Sequence, residues 1–347
     1  MKTTILLITA LIIGTQATKA QVLYSENFDN LTLGNVGTDF TGATPGKGGW
    51  HTKSHIVQTP SQNSNNYFNI VNESGRGKVL ALSASTVVGE FYLQKRGIDA
   101  LWANRNPNNN ILKIELDFYT GDQFSDGGST TPFQGALVTL SDTEVFNATN
   151  NDIICNFGYN PKEEFYTRYT RNTVCNDIID SSDDSLKLKT WIKIIFYLDY
   201  SNKEMYYMIP SKNFIRRCDL DNTNVILNAL LLKSSNWIGS QATTPVYKYD
   251  NIVISAVNTV PLSTQDFLSE KFQVFPNPAT DLVNITNNEN IAIKQIKIFD
   301  TAGKLVKTET YMNQTKIQVN TSILASGSYL FHIETTEGTA VKTIIKK

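Results

Sequence analysis

At 347 residues the chain is long enough for about two domains, each with its own hydrophobic core. Its 31 Lys and Arg against 32 Asp and Glu leave a net charge of -1, and only 18% of residues are charged, so the positive field that nucleic-acid binding requires is missing. A hydrophobic fraction of 41% excludes wholesale disorder, and 35 Asn favour turns over helix interiors, which points to a turn-rich β protein.

The first segment begins Met1-Lys2, continues as the apolar run Ile5 to Ile13 and closes on Ala17-Thr18-Lys19-Ala20. A basic start, a short apolar stretch and a small last residue make residues 1–20 a cleavable secretory signal. The apolar run is about nine residues, against the roughly 20 that span a bilayer, and no later stretch approaches that length; the mature form is expected to carry no transmembrane segment.

Short runs with two-residue alternation follow: Lys78 to Leu82, Glu90 to Leu93, Ile111 to Tyr119, Gly135 to Leu140, Trp191 to Asp199, Glu204 to Ile209 and Lys248 to Ser255. In Ile111 to Tyr119, Ile114, Leu116 and Phe118 share one face, while Lys113, Glu115, Asp117 and Tyr119 share the other, read as a solvated face. Gly75-Arg76-Gly77-Lys78 reads as a turn before a strand. Gly97 to Asn104 and Asn224 to Leu232 are the helix candidates. The pattern predicts an all-β chain whose residues 21–257 form a jelly-roll β-sandwich.

Cys155, Cys175 and Cys218 are an odd count in an oxidising compartment, so one bridge and one leftover thiol are expected. Cys155 and Cys175 are the expected pair, because the segment between them carries the turn signal Gly158-Tyr159-Asn160-Pro161. Residues 258–270 read as a polar linker. Strand patterns then resume from Leu282 to Ile345, and residues 271–347 are expected to form a small immunoglobulin-like β-sandwich.

This last unit carries an ordered set of motifs: Phe275-Pro276-Asn277-Pro278, Ile298-Phe299-Asp300-Thr301-Ala302-Gly303-Lys304, Ser326-Gly327-Ser328-Tyr329, and a basic end at Lys346-Lys347. It resembles the type A C-terminal sorting domain of the type IX secretion system of Bacteroidota. The motif positions are Pro276, Asn277, Pro278, Gly303, Lys304, Gly327 and Tyr329. The resemblance implies transit through the periplasm, the type IX machinery as partner, and a final place in the medium or on the outer cell surface. It also implies cleavage of the sorting domain in the connector, between Val260 and Glu270.

Tyr24-Ser25-Glu26-Asn27-Phe28-Asp29 and Tyr247 to Ile254 resemble the first and last strands of concanavalin-like, laminin G-like and carbohydrate-binding jelly rolls. In many of these an acid on each strand holds a structural calcium, which would fall to Glu26 and Asp250. Glu115-Leu116-Asp117 is similar to the E-x-D-x-E core of laminarinase-like hydrolases but lacks the third acid, so the two-carboxylate arrangement is incomplete. His51 and His55 lie four apart on a segment that reads as extended, roughly 13 Å for a strand and too far for one ion. No nucleophile elbow, phosphate loop or H-E-x-x-H is present. Sugars stack on exposed aromatics, and Trp50, Trp102, Tyr166, Tyr169 and Trp237 lie among loop-type residues suited to this. The sequence therefore favours a non-catalytic module that binds glycan or another surface ligand. A polysaccharide hydrolase or lyase on the same scaffold is one alternative, to be favoured by His51 or His55 meeting a Tyr and an Arg in one groove. A structural or adhesion protein is the other.

Overall fold

A computed structural model describes residues 20–56, 58–121, 135–146, 153–159, 165–168, 177–179, 189–220, 226–236, 244–261, 263–287 and 290–347, with 165–168 and 177–179 described by backbone alone. The expected signal lies, but for Ala20, outside these residues. The first unit opens with β1 (Gln21–Glu26), β2 (Gly34–Asn35), β3 (Thr41–Pro45), β4 (Trp50–Ile56), β5 (Phe68–Glu73), β6 (Gly77–Ser83), β7 (Gly89–Lys95) and the short helix α1 (Ile98–Ala103). It continues with β8 (Ile111–Tyr119), β9 (Gly135–Ser141), β10 (Ile153–Tyr159), β11 (Phe165–Arg168), β12 (Asp177–Ile179), β13 (Trp191–Asp199), β14 (Glu204–Ile209), β15 (Phe214–Asp219), β16 (Ala229–Asn236) and β17 (Val246–Val257).

These strands form two antiparallel sheets. The nine-stranded sheet runs β15-β14-β13-β8-β17-β6-β5-β2, with β1 also on β17, and the eight-stranded sheet runs β12-β11-β10-β9-β16-β7-β4-β3. Between them the inward side chains of each strand interdigitate, among them Ile114, Leu116 and Phe118 of β8, Ile194 and Phe196 of β13, and Phe91 and Leu93 of β7. Such two-sheet packing follows from the two-residue period, which puts one apolar row on each strand. The all-β jelly-roll reading holds. The expected helix at Asn224 to Leu232 does not: its described part ends in β16, where Leu230 and Leu232 enter the core and Leu231 lies on the other face. Alternation is a strand signature, and the continuous apolar run masked it.

The second unit comprises helix α2 (Thr264–Lys271), β18 (Phe272–Phe275), β19 (Leu282–Asn287), β20 (Ile293–Asp300), β21 (Leu305–Gln314), β22 (Lys316–Asn320), β23 (Gly327–Thr335) and β24 (Thr339–Lys346). Its sheets run β18-β19-β22 and β21-β20-β23-β24 and close over Val283, Ile285, Ile296, Ile298, Phe331 and Ile333. The segment expected as a polar linker is thus helical in its second half. Ser263 caps that helix, accepting from Asp266 N at 3.1 Å and donating to the Asp266 carboxylate at 2.8 Å.

The sorting-type motif residues serve this fold directly. Asn277 accepts from Ile345 N at 2.9 Å and donates to Thr343 O at 3.0 Å, tying the Pro276-Asn277-Pro278 segment to the last strand. Asp300 Oδ1 accepts from Ala302 N and Lys304 N in the β20–β21 turn, where Gly303 takes φ 79°. Gly327 opens β23, and the Tyr329 hydroxyl donates to Ala325 O at 2.9 Å.

Cys155 is free and buried, and Cys218 is disulfide-bonded, so the expected Cys155–Cys175 pair is corrected. Cys155 sits on an inward position of β10 within the core, which leaves it packed against apolar neighbours instead of facing a loop. Burial pushes its thiol up to about 12. In the native protein this thiol is expected to resist alkylation and to react only after denaturation; labelling at neutral pH without denaturant would contradict the placement.

Candidate functional site

Two polar regions stand out, one on the outer face of each sheet. On the eight-stranded sheet, β4 and β7 pair with His51 opposite Gln94 and His55 opposite Glu90, so alternate residues of both strands share the outer face. His51 Nδ1 lies 3.1 Å from Gly42 O. A carbonyl only accepts, so Nδ1 carries the proton and Nε2 keeps its lone pair. Burial, then the Arg96 charge, holds the His51 pKa below the usual imidazole value, which favours the neutral ring.

Arg96 donates from Nε to Gln94 Oε1 at 2.8 Å and from one terminal nitrogen to Gly42 O at 3.2 Å. Gln94 is fully buried behind it, and its Nε2 has no hydrogen-bond partner among the described residues. Next along β7, the Tyr92 hydroxyl donates to Glu90 at 2.6 Å, and Lys233 of β16 forms an ion pair with the same carboxylate. Burial alone would raise the Glu90 pKa, but Lys233, Tyr92 and His55 together bring it below its ordinary value. Phe146 packs on Tyr92 and Leu231, with Arg96 5.1 Å and Lys53 5.6 Å from its ring centre.

On the nine-stranded sheet the outer face carries a cleft of ≈ 690 Å³ bordered by both units. Here Glu115 and Asp117 are buried, which corrects the reading of a solvated strand face. Lys113 and Glu115 meet α2, and Asp117 is enclosed by Arg76, Lys193 and Asn251, long-range arrangements that alternation does not report. Arg76, on the turn between β5 and β6, reaches Asp117 at 2.9 Å and Asp250 at 3.4 Å, and its guanidinium lies 4.0 Å from the Trp191 ring centre. Lys193 meets Asp117 at 3.3 Å, Lys271 meets Glu115 at 3.4 Å, and Lys113 also pairs with Glu115. Asn251 donates to Asp117 at 2.9 Å from the bulge where β17 shifts register against β8.

The carboxylates of this face are shifted in opposite directions. Burial disfavours ionised Glu115, but Lys113, Lys271 and Lys193 overcome it and hold its pKa near 2. Asp117 is likewise held below its usual value against burial, by Lys193, Asn251 and Arg76. Asp250 is pushed up to about 6, first by burial and also by Asp117. Arg76 sits closer to Asp117, so Asp250 receives the weaker share of its charge.

The structure does not gather the sequence-predicted site residues into one place. Trp50 and Trp102 belong to the sandwich core, Trp50 beside Phe28 and Trp102 beside Tyr200, which corrects their assignment to an exposed sugar platform. Tyr169 and Trp237 lie outside the described residues; Tyr166 lies on β11, opposite Gly158, where the backbone alone is described. Glu26 and Asp250 have different partners: Glu26 Oε1 accepts from Phe28 N at 2.7 Å, whereas Asp250 faces Arg76 and Asn251. Among the described residues no group of three or more His, Cys, Asp or Glu is placed to hold a metal. Sequence reasoning missed Arg76, Gln94 and Arg96; for Gln94 and Arg96 the signal was available, since Tyr92, Gln94 and Arg96 recur at the two-residue period along β7 and just past its end.

Residues 273–347 match the family model described as a secretion system C-terminal sorting domain. The chain therefore carries a type IX sorting unit and is a secreted or outer-surface protein; among the described residues no helix is long and apolar enough to cross a membrane. No curated protein sequence matches the chain. Among solved structures it is similar to a sialidase, at 10% identity and a TM-score of 0.36, covering 68% of this chain and 19% of that one. It is also similar to the family 7 alginate lyase A1-II', at 11% identity and a TM-score of 0.40, covering 61% and 94%. A third is the receptor-binding domain of botulinum neurotoxin mosaic serotype C/D, at 9% identity and a TM-score of 0.38, covering 90% and 70%. The chain thus spans about a fifth of the sialidase it matches.

Proposed function

We propose that this secreted or surface protein binds an acidic polysaccharide on the outer face of its eight-stranded sheet. The observation that carries the reading is the convergence of His51, Gln94 and Arg96 there. Arg96 is oriented by Gln94 Oε1 and Gly42 O and lies within the field of Glu144, and its other terminal nitrogen makes no hydrogen bond among the described residues. A preoriented guanidinium with donors to spare recognises a sugar carboxylate in a fork geometry. Titration with soluble uronate-bearing and neutral polysaccharides tests this. Binding is expected for the uronate polymers only, and Arg96→Ala should weaken it by about tenfold, one charge-assisted hydrogen bond's worth. Equal binding of neutral polymers, or an unaffected Arg96→Ala variant, contradicts it.

A lyase reading is favoured by one specific observation, the neutral His51 ring with its Nε2 lone pair beside Arg96. In a β-elimination the base takes the proton next to the carboxylate, a carbon–carbon double bond forms, and the glycosidic carbon–oxygen bond breaks with a proton delivered to the leaving oxygen. Tyr92 has its hydroxyl committed to Glu90, so the acid is not supplied by it. Ultraviolet absorbance from an unsaturated uronate product, lost in His51→Ala, would establish this reading; binding without such a product would leave the binding reading alone.

A further inference from the structure

His51 and Arg96 share one acceptor, the Gly42 carbonyl, at 3.1 and 3.2 Å. Gly42 lies on β3, where Thr41 faces Lys53 and Pro45 faces His51, so residues 42–44 stand against Thr52 alone and the chain bulges away from β4. The bulge takes the Gly42 carbonyl out of the strand ladder. Whatever holds the bulge therefore decides where that oxygen points.

Asp39 holds it. Its carboxylate accepts from Thr41 N and the Thr41 hydroxyl at 2.8 Å each, from Ala43 N at 2.9 Å and from Thr44 N at 3.0 Å. Ala43 N–H and the Gly42 carbonyl belong to one planar trans peptide, so turning that N–H toward Asp39 turns the oxygen the opposite way, onto His51 and Arg96. These donors, Thr41 N foremost, hold the Asp39 pKa below the usual carboxylate value, so the acceptor stays ionised at neutral pH. Thr52 Oγ1 donates to Asp39 O at 2.9 Å, which ties the arrangement to β4. Phe146 closes it from the other side: Gly42 takes φ 84°, and a Cβ there would lie 2.1 Å from the Phe146 ring.

We propose that Asp39 is a positioning residue for the site on the eight-stranded sheet. Touching neither side chain, it acts through the Gly42–Ala43 peptide to fix the Nδ1–H tautomer of His51 and the orientation of Arg96. The role rests on the reading of His51 and Arg96 as ligand-binding groups, whereas the hydrogen-bond relay itself needs no ligand.

Nitrogen NMR of histidine-labelled protein at about pH 8, where the ring is neutral, reads the tautomer directly, and unchanged His55 and His332 signals certify an intact fold. Wild type should show His51 protonated on Nδ1. In Asp39→Ala the Nε2–H form should appear, and Asp39→Asn, which keeps one oxygen for the same N–H groups, should fall between. Gly42→Ala leaves Asp39 in place but forces the bulge off Phe146, and should release the ring as well. An unchanged His51 tautomer in either Asp39→Ala or Gly42→Ala overturns the proposal. Uronate titration is read separately: Asp39→Ala should weaken binding by up to about tenfold, the loss expected of Arg96→Ala. Full affinity in a variant whose His51 is released overturns the part assigned to Arg96. A wild type that binds no uronate sinks the binding reading alone, and the tautomer still decides the relay.

Discussion

Replacing Arg76 by Ala is expected to destabilise the protein by about 3 kcal/mol, the low end of what breaking a buried ion pair costs. The guanidinium is shared by two carboxylates whose side chains are 9% and 3% exposed, so its removal leaves charge in a poorly solvated site. Asp117 would keep Lys193 at 3.3 Å, but Asp250 would lose its cation. The stack on Trp191 would go with it. Arg76→Lys keeps the charge and loses the planar stack and the two-way reach, and should fall between wild type and Ala. The double variant Arg76→Ala with Asp250→Asn should recover a large part of the loss, because the uncompensated charge is then gone. Urea unfolding midpoints of the four proteins measure this. A loss below about 1 kcal/mol for Arg76→Ala would show that solvent already screens the group.

Most of the scaffold was legible because a strand buried on one face writes its period into the sequence. The strands Ile111–Tyr119, Trp191–Asp199 and Glu204–Ile209 follow their alternation to the residue. The second unit was legible for a different reason, since Asn277, Asp300, Gly303 and Tyr329 each satisfy backbone or turn geometry that few other residues can. What alternation cannot report is what covers an outward row. Glu115 looks like a solvated position until Lys271 of α2 is placed beside it, and Asp117 until Lys193, Asn251 and Arg76 close round it; Arg76 looks like a turn residue until its side chain is followed to Asp250. Trp50 and Trp102 fail for the related reason that loop-like neighbours in sequence say little about a large ring's depth. Helix α2 did leave a trace, the Ser263-Thr264-Gln265-Asp266 capping pattern, inside a segment whose polarity suggested a linker.

Stability should pass through a maximum near pH 4 to 4.5 as far as this charged face governs it, because its acids pull in opposite directions. Glu115, near 2 in the folded protein, contributes stability above its ordinary pKa of 4.5 and loses it as pH falls toward 2. Asp117, also lowered, adds to that acid limb. Asp250, raised to about 6 from 3.8, does the reverse: its contribution is complete below 3.8 and is lost as pH rises through 6. Each shift of about two units corresponds to about 3 kcal/mol between the two ends of its window. Asp250→Asn removes the second window while leaving an oxygen for Arg76, so between pH 4 and 6.5 its stability should stay flat where the wild type declines. Denaturant midpoints across that range are the measurement. Parallel curves for the two proteins would mean that Asp250 ionises in the folded state as easily as in the unfolded one, and that Arg76 compensates both carboxylates equally.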